Sequence, residues 1–253
     1  MIRVCLSGAR GRMGRTLSDL LSQATDLQLA AALERPGHPE LGREIAPGVA
    51  LTAEARAAIE GCDVLLDFSL PSGVLEHAAL CAAAEKPLVS GTTGFDEAGQ
   101  RALREAARRI PIVWSANMSR GVHVLAELTR RAARLLGAEY DTEIFEIHHR
   151  HKADAPSGTA RLLAAGVQEA RGGEIRYARQ EKRAPGEIGL CSARGGDVVG
   201  EHQVMFLGGG EQLVLTHRAS SREHFARGAL AAVRWVVGQE AGLYGMADVF
   251  GSL

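Results

Sequence analysis

The sequence predicts an α/β protein in two parts: a domain built on a parallel sheet, then an α+β domain built on a mostly antiparallel sheet. Short apolar runs alternate with helical patterns as far as residue 118, which is typical of right-handed crossovers and a parallel sheet. Beyond that point one long helical pattern is followed mainly by strand patterns. We therefore expect a first domain at 1–118, a second at 119–221, and a C-terminal segment at 222–253 that returns to the first domain.

Composition limits the classes of function. The chain has 253 residues with 29 basic and 30 acidic side chains, a net charge of −1, whereas a general nucleic-acid binder is usually strongly basic. No apolar run reaches the ~18 residues that a membrane span needs, and the N-terminus lacks the layout of a signal peptide. The four cysteines form no C-x-x-C pair, so neither a disulfide framework nor a structural zinc site is expected. These observations predict a soluble, cytoplasmic protein that binds neither membrane nor nucleic acid.

The elements of the first part follow from apolar runs and helical spacing. Strands are predicted at Ile2–Ser7, Leu27–Leu33, Asp63–Ser69, Pro87–Ser90 and Ile110–Trp114, and helices at Arg15–Leu21, Ser72–Glu85 and Asp96–Arg109. The segment from Pro36 to Pro47 is rich in proline and glycine and is predicted to be a loop.

A glycine-rich turn lies between the first strand and the first helix. It reads Gly8-Ala9-Arg10-Gly11-Arg12-Met13-Gly14, a variant of the dinucleotide-binding turn, in which glycines let the backbone approach a pyrophosphate at a helix N-terminus. Glu34 ends the second strand about 20 positions after Gly14, the interval expected for an acid that binds the adenosine ribose. Glu34 favours NAD, whereas Arg35 beside it favours the 2′-phosphate of NADP.

Two further loops follow predicted strands: Gly91-Thr92-Thr93-Gly94 and Ser115-Ala116-Asn117-Met118. Ligands on parallel sheets bind beyond the carboxyl ends of the strands. Together with the first turn and Glu34, these loops predict a Rossmann-like dinucleotide-binding cleft. The alternatives are that Thr92 and Thr93 are plain turn residues and that Glu34-Arg35 is a solvated loop start.

The second part begins with a helix at Ser119–Leu136 and continues with strands. These are predicted at Thr142–His148, Ile188–Arg194, Val198–Leu207 and Gln212–Ala219, with a hairpin at Gly208-Gly209-Gly210 and a final helix at Ser221–Gly238. Along the first of these strands Phe145 and Ile147 alternate with Glu146 and His148. The basic residues around Arg176–Arg183 are expected to be solvated.

A dense cluster of titratable residues, His148-His149-Arg150-His151-Lys152, precedes the segment Asp154-Ala155-Pro156-Ser157-Gly158-Thr159, which is typical of a turn that opens a helix. Cations would then lie beside helix-start N–H groups that can hold an anion. One alternative is an exposed basic loop. Another is a metal site at His149 and His151, but no carboxylate or cysteine joins them at ligand spacing, and the adjacent cations would repel a metal ion. His202, His217 and His224 are expected to be structural.

These motifs carry a resemblance to a known family over essentially the whole chain. The carriers are the Gly8–Gly14 turn, Gly91–Phe95, Ala116–Ser119, His148–Thr159, Arg194–His202 and Thr216–Arg222. The sequence closely resembles the 4-hydroxy-tetrahydrodipicolinate reductase (dihydrodipicolinate reductase) family of the bacterial diaminopimelate and lysine pathway. Arg10 departs from the pattern, because the family often has a small residue there. This departure puts in doubt how the pyrophosphate is held and which of NAD and NADP is preferred.

The resemblance implies an enzyme that transfers a hydride from NADH or NADPH to C4 of a small cyclic dicarboxylate, with loss of water, to give tetrahydrodipicolinate. It implies that His148 is the proton donor/acceptor, Lys152 a second proton donor and His149 a substrate contact, with a substrate carboxylate at Gly158 and Thr159. The helix-start pattern Ser157-Gly158-Thr159 by itself also suits a carboxylate. The implied cofactor-binding residues are Gly8, Ala9, Arg10, Gly11, Arg12, Met13, Glu34, Arg35, Gly91, Thr92, Thr93, Ser115, Ala116, Asn117 and Met118. It also implies a homotetramer associated through the second domain's sheet, and no metal.

The chemistry of the residues agrees with this role. A histidine can donate a proton near neutral pH, and a lysine can offset developing negative charge. Two other functions are open: another nicotinamide-dependent dehydrogenase of amino acids or aldehydes, and a non-catalytic dinucleotide sensor. Neither requires a His-His-Arg-His-Lys cluster before an anion-binding helix start.

Overall fold

A computed structural model describes residues 1–251. The last two residues of the expected C-terminal segment, 252–253, lie outside this description. The described chain forms two compact units. The first unit comprises Met1–Ser119 with Glu223–Gly251, and the second comprises Arg120–Arg222.

The first 119 residues alternate strands and helices. In chain order these are β1 (Ile2–Ser7), α1 (Arg12–Gln23), β2 (Leu27–Leu33), β3 (Glu44–Ala46), β4 (Val49–Thr52), α2 (Ala55–Glu60), β5 (Val64–Asp67), α3 (Pro71–Ala83), β6 (Leu88–Ser90), α4 (Glu97–Ala106) and β7 (Pro111–Trp114). The predicted strands and helices of this part are all present, with ends shifted by a few residues.

Among its described elements the second unit contains two α-helices, a short 3-10 helix at Gly137–Glu139 and five strands. They are α5 (Arg120–Leu136), β8 (Asp141–His148), α6 (Gly158–Arg171), β9 (Ile175–Tyr177), β10 (Ile188–Arg194), β11 (Gly200–Leu207) and β12 (Gln212–Ala219). The first unit is completed by α7 (Glu223–Val236), β13 (Gly242–Tyr244) and α8 (Met246–Phe250).

The sheet of the first unit has the order β13-β7-β6-β5-β1-β2-β4-β3. Every pairing in it is parallel except that between β3 and β4. Because β1 lies between β2 and β5, the last residue of β1, Ser7, is opposite Leu33 on one side and Asp67 on the other. The carboxyl ends that carry the predicted cofactor loops therefore meet at one edge of this sheet.

Both faces of this sheet are covered. Along β1, Val4 and Leu6 belong to one apolar cluster with α1 and α7, whereas Cys5 belongs to another with α2, α3 and α4. This alternation is the reason that β1 reads as a continuous apolar run, since both of its faces are buried. Burial also raises the pKa of the Cys81 thiol in the second cluster, and all four cysteines are free.

The loop predicted from Pro36 to Pro47 is partly wrong, because it contains β3. The strand β4 and the helix α2, which follow, were not predicted. β3 has three residues and β4 has four, and β4 pairs in parallel with the end of β2. Strands this short are too short to show an alternating pattern in the sequence. They form because a neighbouring strand supplies their hydrogen bonds.

The sheet of the second unit has the order β12-β11-β8-β10-β9. Two of its ladders, β11 with β12 and β11 with β8, are antiparallel, whereas β10 pairs in parallel with β8 and β9. The predicted hairpin is present, with Leu207 opposite Gln212. Helices α5 and α6 pack on this sheet through a cluster that includes Leu125, Leu163 and Phe206.

The alternation predicted along β8 is present, but its buried side carries polar groups. Ile144, Glu146 and His148 are buried, whereas Phe145 and Ile147 are half-buried. A buried carboxylate and a buried imidazole on one strand face need partners, because an unpaired buried polar group is costly.

The expectation that the basic residues around Arg176–Arg183 are solvated is wrong for two of them. The side chains of Arg179 and Arg183 are only 19% and 18% exposed and are paired with Glu143. Gly189 makes room for this carboxylate, since a Cβ at that position would lie 1.7 Å from Glu143 Oε2. Sequence spacing could not show this pairing, because it depends on β8 and β10 being neighbours.

None of the helices in residues 1–251 is both long and apolar enough to cross a membrane.

Candidate functional site

The glycine-rich turn of the first unit is packed backbone against backbone. Gly8 has φ +72°, and a Cβ there would lie 2.8 Å from the carbonyl oxygen of Phe68. A Cβ at Gly14 would lie 2.1 Å from the carbonyl oxygen of Gly8. Both positions therefore require glycine, and the turn presents an open backbone directly before α1, whose first N–H groups carry partial positive charge.

The other residues of the turn have distinct environments. Ala9 is buried, Met13 in the first turn of α1 packs against the core, and Arg12 is exposed. Arg10 points to a carboxylate of its own chain, since its Nη2 lies 2.7 Å from Glu40 Oε2. The charge of this unusual turn residue is thus compensated within the first unit.

Glu34 lies at the end of β2, as the sequence predicts for a ribose-binding acid. Its Oε1 accepts a hydrogen bond from the backbone N–H of Arg10 at 2.9 Å, and its Oε2 accepts one from the N–H of Arg35 at 3.3 Å. The carboxylate therefore links the glycine-rich turn to the loop that follows β2 and fixes their relative positions.

A cleft of about 480 Å³ opens at this edge of the sheet. Its lining includes Gly8, Gly11, Glu34, Arg35, Phe68, Ser69, Gly73, Glu76 and His77. Arg35 is exposed, and within residues 1–251 its guanidinium has no acidic side chain at ion-pair distance. The cleft thus joins a glycine-rich helix start, a carboxylate and an unpaired cation, which fits a dinucleotide whose ribose and phosphates need such groups.

His77 is a lining residue that the sequence analysis missed. Its Nδ1 lies 2.6 Å from Oδ2 of Asp67, which is fully buried at the end of β5. The other oxygen of Asp67 accepts the N–H of Ser69 at 2.8 Å. The motif Asp67-Phe68-Ser69 at a strand end was visible in the sequence, but its partner is on α3 and only the fold brings the two together.

The two later loops adjoin the cleft by hydrogen bonds rather than by lining it. Thr92 Oγ1 donates to the carbonyl oxygen of Ser69 at 2.8 Å, and Trp114 Nε1 donates to the carbonyl oxygen of Thr92 at 2.9 Å. Gly91 leaves room for the ring of Phe68, because a Cβ there would lie 2.3 Å from Phe68 Cε1. Thr93 is exposed. The loop after β6 therefore positions Phe68 and Ser69, which line the cleft.

The loop after β7 is a compact turn. Ser115 Oγ donates to the carbonyl oxygen of Asn117 at 2.8 Å, and Asn117 Oδ1 accepts the N–H of Ser119 at 2.9 Å. Ala116 is exposed, whereas the side chain of Met118 is buried in the core. Met118 thus has only its backbone available for a ligand.

In the second unit, His148 ends β8 as a buried imidazole with a carboxylate partner. Its Nδ1 lies 2.5 Å from Oε2 of Glu146, two residues earlier on the same strand face. A Cβ at Gly200 would lie 2.9 Å from His148 Nε2. Glycine at this position therefore lets the ring pack with its second nitrogen over β11, while the first nitrogen is held by the carboxylate.

Glu146 is fully buried and serves several donors. Its Oε1 accepts the N–H of Ser157 at 3.0 Å and Nη2 of Arg194 at 3.0 Å. Burial by itself would raise the pKa of this carboxyl, but hydrogen bonds from His148, Ser192, Ser157 and Arg194 outweigh it and lower the pKa far below its usual range. Glu146 is therefore ionised at neutral pH although it is buried. Strand register explains this, since Glu146 is opposite Ser192 on β10 and His202 on β11.

His202, which was expected to be structural, lies beside this pair. Its ring centroid is 5.1 Å from that of His148, and its Nε2 is 3.2 Å from Ser157 Oγ. Burial and the neighbouring His148 lower its pKa to about 4, so it is neutral at neutral pH.

Glu146, His148 and His202 also offer three metal-ligand atoms within 4.8 Å of one another. Two of these atoms already share the 2.5 Å contact, and the guanidinium of Arg194 bonds the same carboxylate. A neighbouring cation disfavours a metal ion, so this arrangement suits a proton-carrying network. The predicted absence of a metal stays a prediction.

Lys152 lies after the end of β8 and pairs with a carboxylate, its Nζ 2.7 Å from Asp154 Oδ1. His149 is half-buried, and its ring is 6.4 Å from that of the exposed His151. Partial burial and the nearby positive charge of Arg222 lower the pKa of His149. His149 is thus a neutral hydrogen-bonding group at neutral pH.

The predicted anion-binding turn begins α6. Ser157 is the N-cap, and its Oγ accepts the N–H of Ala160 at 3.2 Å. Gly158 is exposed with open space around its Cα, and Thr159 is half-buried. The N-terminus of α6 is therefore open at Gly158, where no side chain blocks the approach of a carboxylate.

The structure brings His148 and Ser157 together through Glu146, which the sequence analysis did not single out, and through Arg194, noted only as part of a motif. The signal for Glu146 was its position two residues before His148 on an alternating strand, which places both side chains on one face.

Comparisons with known proteins agree with this geometry. The family description "Dihydrodipicolinate reductase, N-terminus" matches residues 2–118, and "Dihydrodipicolinate reductase, C-terminus" matches residues 121–250. The 4-hydroxy-tetrahydrodipicolinate reductase of Thiobacillus denitrificans is 45% identical over 263 aligned positions, which cover 99% of this chain and 98% of the relative. That of Anaeromyxobacter sp. (strain Fw109-5) is 47% identical over 265 positions, with the same coverage.

Solved structures give the same result. A dipicolinate-bound dihydrodipicolinate reductase from Paenisporosarcina sp. TG-14 superposes with a TM-score of 0.83 at 26% identity, covering 98% of each chain. The scyllo-inositol dehydrogenase of Lactobacillus casei, at 14% identity and a TM-score of 0.61 over 99% of this chain and 92% of its own, shares the fold alone. Since the two family matches span the dinucleotide turn and the His148 cluster respectively, the chain belongs to the dihydrodipicolinate reductase family.

Proposed function

We propose that the chain reduces 4-hydroxy-tetrahydrodipicolinate to tetrahydrodipicolinate in diaminopimelate and lysine biosynthesis, with His148 as the proton donor/acceptor. The chain is an oxidoreductase, and its relatives carry the name of this reaction. The observation that carries the residue assignment is the buried His148–Glu146 pair, which shares Glu146 with the anion-binding start of α6. The reduction consumes one hydride and one proton per substrate molecule and releases one water molecule.

The chain's own groups supply the proton chemistry. When bound, the nicotinamide supplies the hydride, and an electron-rich ring position of the substrate must then gain a proton. His148 Nε2, the ring nitrogen not held by Glu146, donates this proton and returns to the neutral form. Lys152 is the second proton donor, and it offsets negative charge that develops on the substrate.

A dicarboxylate substrate suits the second unit. The start of α6 at Ser157, Gly158 and Thr159 holds one carboxylate, through backbone N–H groups beyond that of Ser157, which already donates to Glu146. His149 contacts the substrate as a neutral donor or acceptor. The dipicolinate named for the Paenisporosarcina relative is itself a cyclic dicarboxylate, which supports this substrate class.

The cofactor is a nicotinamide dinucleotide, and we propose that both NADH and NADPH are accepted. Glu34 is oriented by two backbone N–H groups, so it can accept ribose hydroxyls, whereas Arg35 is exposed at the rim of the cleft. The remaining cofactor contacts are those of the turn Gly8–Met13 and the loops Gly91–Thr93 and Ser115–Met118.

A direct assay tests the reaction. Purified protein is mixed with NADH or NADPH and with the freshly formed product of pyruvate and aspartate semialdehyde. We expect loss of the nicotinamide absorbance only when that product is present. No substrate-dependent loss with either cofactor would reject the reductase. If the cofactor bound without turnover, the sensor would be supported, and if only amino acids or aldehydes were turned over, another dehydrogenase would be.

Replacing Arg35 by alanine tests whether this side chain binds the 2′-phosphate of NADPH. We expect the dissociation constant for NADPH to rise about tenfold or more, since a charge-assisted phosphate contact contributes about 1.5–3 kcal/mol, while that for NADH changes little. Fluorescence titration with each cofactor measures both constants, and Arg12→Ala in the glycine-rich turn serves as a comparison that should affect both cofactors alike. Equal weakening of NADH and NADPH by Arg35→Ala would show that Arg35 does not discriminate between them.

We also propose a homotetramer that assembles through the sheet of the second unit and acts in the cytoplasm. Leu213 and Val214 of β12 are 40% and 43% exposed, which supports an interface on this sheet. Sedimentation equilibrium gives the mass of the assembly, and a monomeric mass would reject the tetramer.

A further inference from the structure

The two carboxylate oxygens of Glu146 have different partners. Oε2 contacts Nδ1 of His148 at 2.5 Å, whereas Oε1 accepts from the backbone N–H of Ser157 and from Arg194. The side chain is fully buried, so water does not compete for either oxygen. One buried anion thus links the imidazole to the start of α6.

We propose that Glu146 is the positioning residue of the reductase site, fixing His148 with Nδ1 engaged and Nε2 as the proton-donating atom, and fixing Ser157 at the same time. This inference rests on the proposed role of His148. A carboxylate that holds one imidazole nitrogen selects the tautomer and orients the ring, and it stabilises the imidazolium without itself becoming protonated. Arg194 and Ser157 keep Glu146 ionised, so that the proton resides on His148 and not on the carboxylate.

The surroundings of His148 point to the same division of its ring nitrogens. Nε2 lies over Gly200 on β11, where a Cβ would be only 2.9 Å away, so the ring has this orientation only because position 200 lacks a side chain. Nδ1 faces the carboxylate. The carboxylate thus engages Nδ1 and leaves Nε2 as the nitrogen that Glu146 does not hold.

Several charged and titratable groups surround this pair. They are Arg194 on β10, His202 on β11, and His149, Lys152 and Asp154 in the segment after β8. His202 and His149 are neutral at neutral pH, and Lys152 is paired with Asp154. Glu146 is therefore the anion in direct contact with His148, balanced on its far oxygen by Arg194.

A purely structural role for Glu146 makes a different prediction from a positioning role. As a simple tie for Ser157 and Arg194, its replacement would lower thermal stability without changing how activity depends on pH. As the partner of His148, its replacement also removes the negative charge beside the proton donor, so the dependence of activity on pH should change.

Glu146→Gln keeps the size of the side chain and removes its charge. We expect kcat to fall about tenfold to 100-fold, the usual effect of removing an orienting partner of a histidine, with less than about threefold change in KM. The alkaline fall of kcat should move to lower pH, because the anion beside the proton donor is gone. Glu146→Asp, which keeps the charge, should lower kcat but leave that fall near its wild-type pH.

Glu143→Gln is the matched control, because Glu143 lies on the same strand but on the opposite face, paired with arginines. We expect this variant to keep the wild-type pH profile. An unchanged pH profile in Glu146→Gln, with His148→Gln inactive and wild type active, would overturn the positioning role while leaving the proposed function intact. Inactive wild type would instead reject the proposed function.

If Glu146→Gln does not fold, the wild-type protein still decides the matter. Nitrogen-15 NMR of labelled histidine side chains, assigned with His148→Gln, reports which ring nitrogen carries the proton in the neutral form. We expect the proton of His148 on Nδ1. A neutral His148 protonated on Nε2 would overturn the inference.

Discussion

Replacing His148 by glutamine should lower kcat about 100-fold to 10,000-fold, the contribution of a positioned general acid. Glutamine fills similar space and can still hydrogen-bond to Glu146, but it has no proton to give near neutral pH. The affinity for the cofactor should stay within about twofold, because the contacts predicted for the dinucleotide lie in the first unit. Steady-state assays give kcat, and fluorescence titration gives the dissociation constant of NADH.

His151→Gln is the matched control for this change. His151 belongs to the same cluster but is exposed, so we expect near-normal kcat. A His148→Gln enzyme that turned over at a near-normal rate would remove His148 as the acid. A large loss of NADH affinity would mean that its effect does not arise from proton transfer alone.

The second large effect is expected from Gly14→Ala. The added methyl would lie 2.1 Å from the carbonyl oxygen of Gly8 and 2.7 Å from the Cα of Ala9. These are backbone atoms, which cannot rotate away as a flexible side chain can, so the turn must open. We expect the free energy of unfolding to fall by about 1–3 kcal/mol, and NADH binding to weaken more than tenfold because the pyrophosphate cradle is displaced. Chemical denaturation and fluorescence titration measure these two quantities.

Gly238→Ala makes the same substitution elsewhere in the first unit. A Cβ at this position has no heavy atom within 4 Å, so we expect stability within about 0.5 kcal/mol of wild type and unchanged NADH binding. If Gly14→Ala bound NADH as tightly as Gly238→Ala, close packing of the turn would not be what shapes the cofactor site.

Much of the fold was readable from local patterns. The parallel strands β1, β2 and β5 are buried on both faces, so each leaves a continuous apolar run, and the turn before α1 needs glycine where the backbone is crowded. The short strands β3 and β4 were not readable, because three or four residues carry no periodicity and their hydrogen bonds come from neighbouring strands.

The same division applies to the candidate site. His148 was readable because its cluster is continuous in sequence and stands before a helix start. Arg179 and Arg183 were misread as solvated, and His77 was missed, because their partners Glu143 and Asp67 lie far from them along the chain. The sequence shows that a charged residue is present, but the partner of that residue is known only once the strands are paired.

The sequence by itself determined the class of fold, the dinucleotide turn and the histidine proposed to carry the proton, since each rests on residues within one short segment. Only the tertiary structure decided how that histidine is held. Glu146 becomes a buried anion between His148, Ser157 and Arg194 because β8 lies between β10 and β11. The physical reason is that desolvation and hydrogen bonding act through space, and neither is fixed until distant strands are paired.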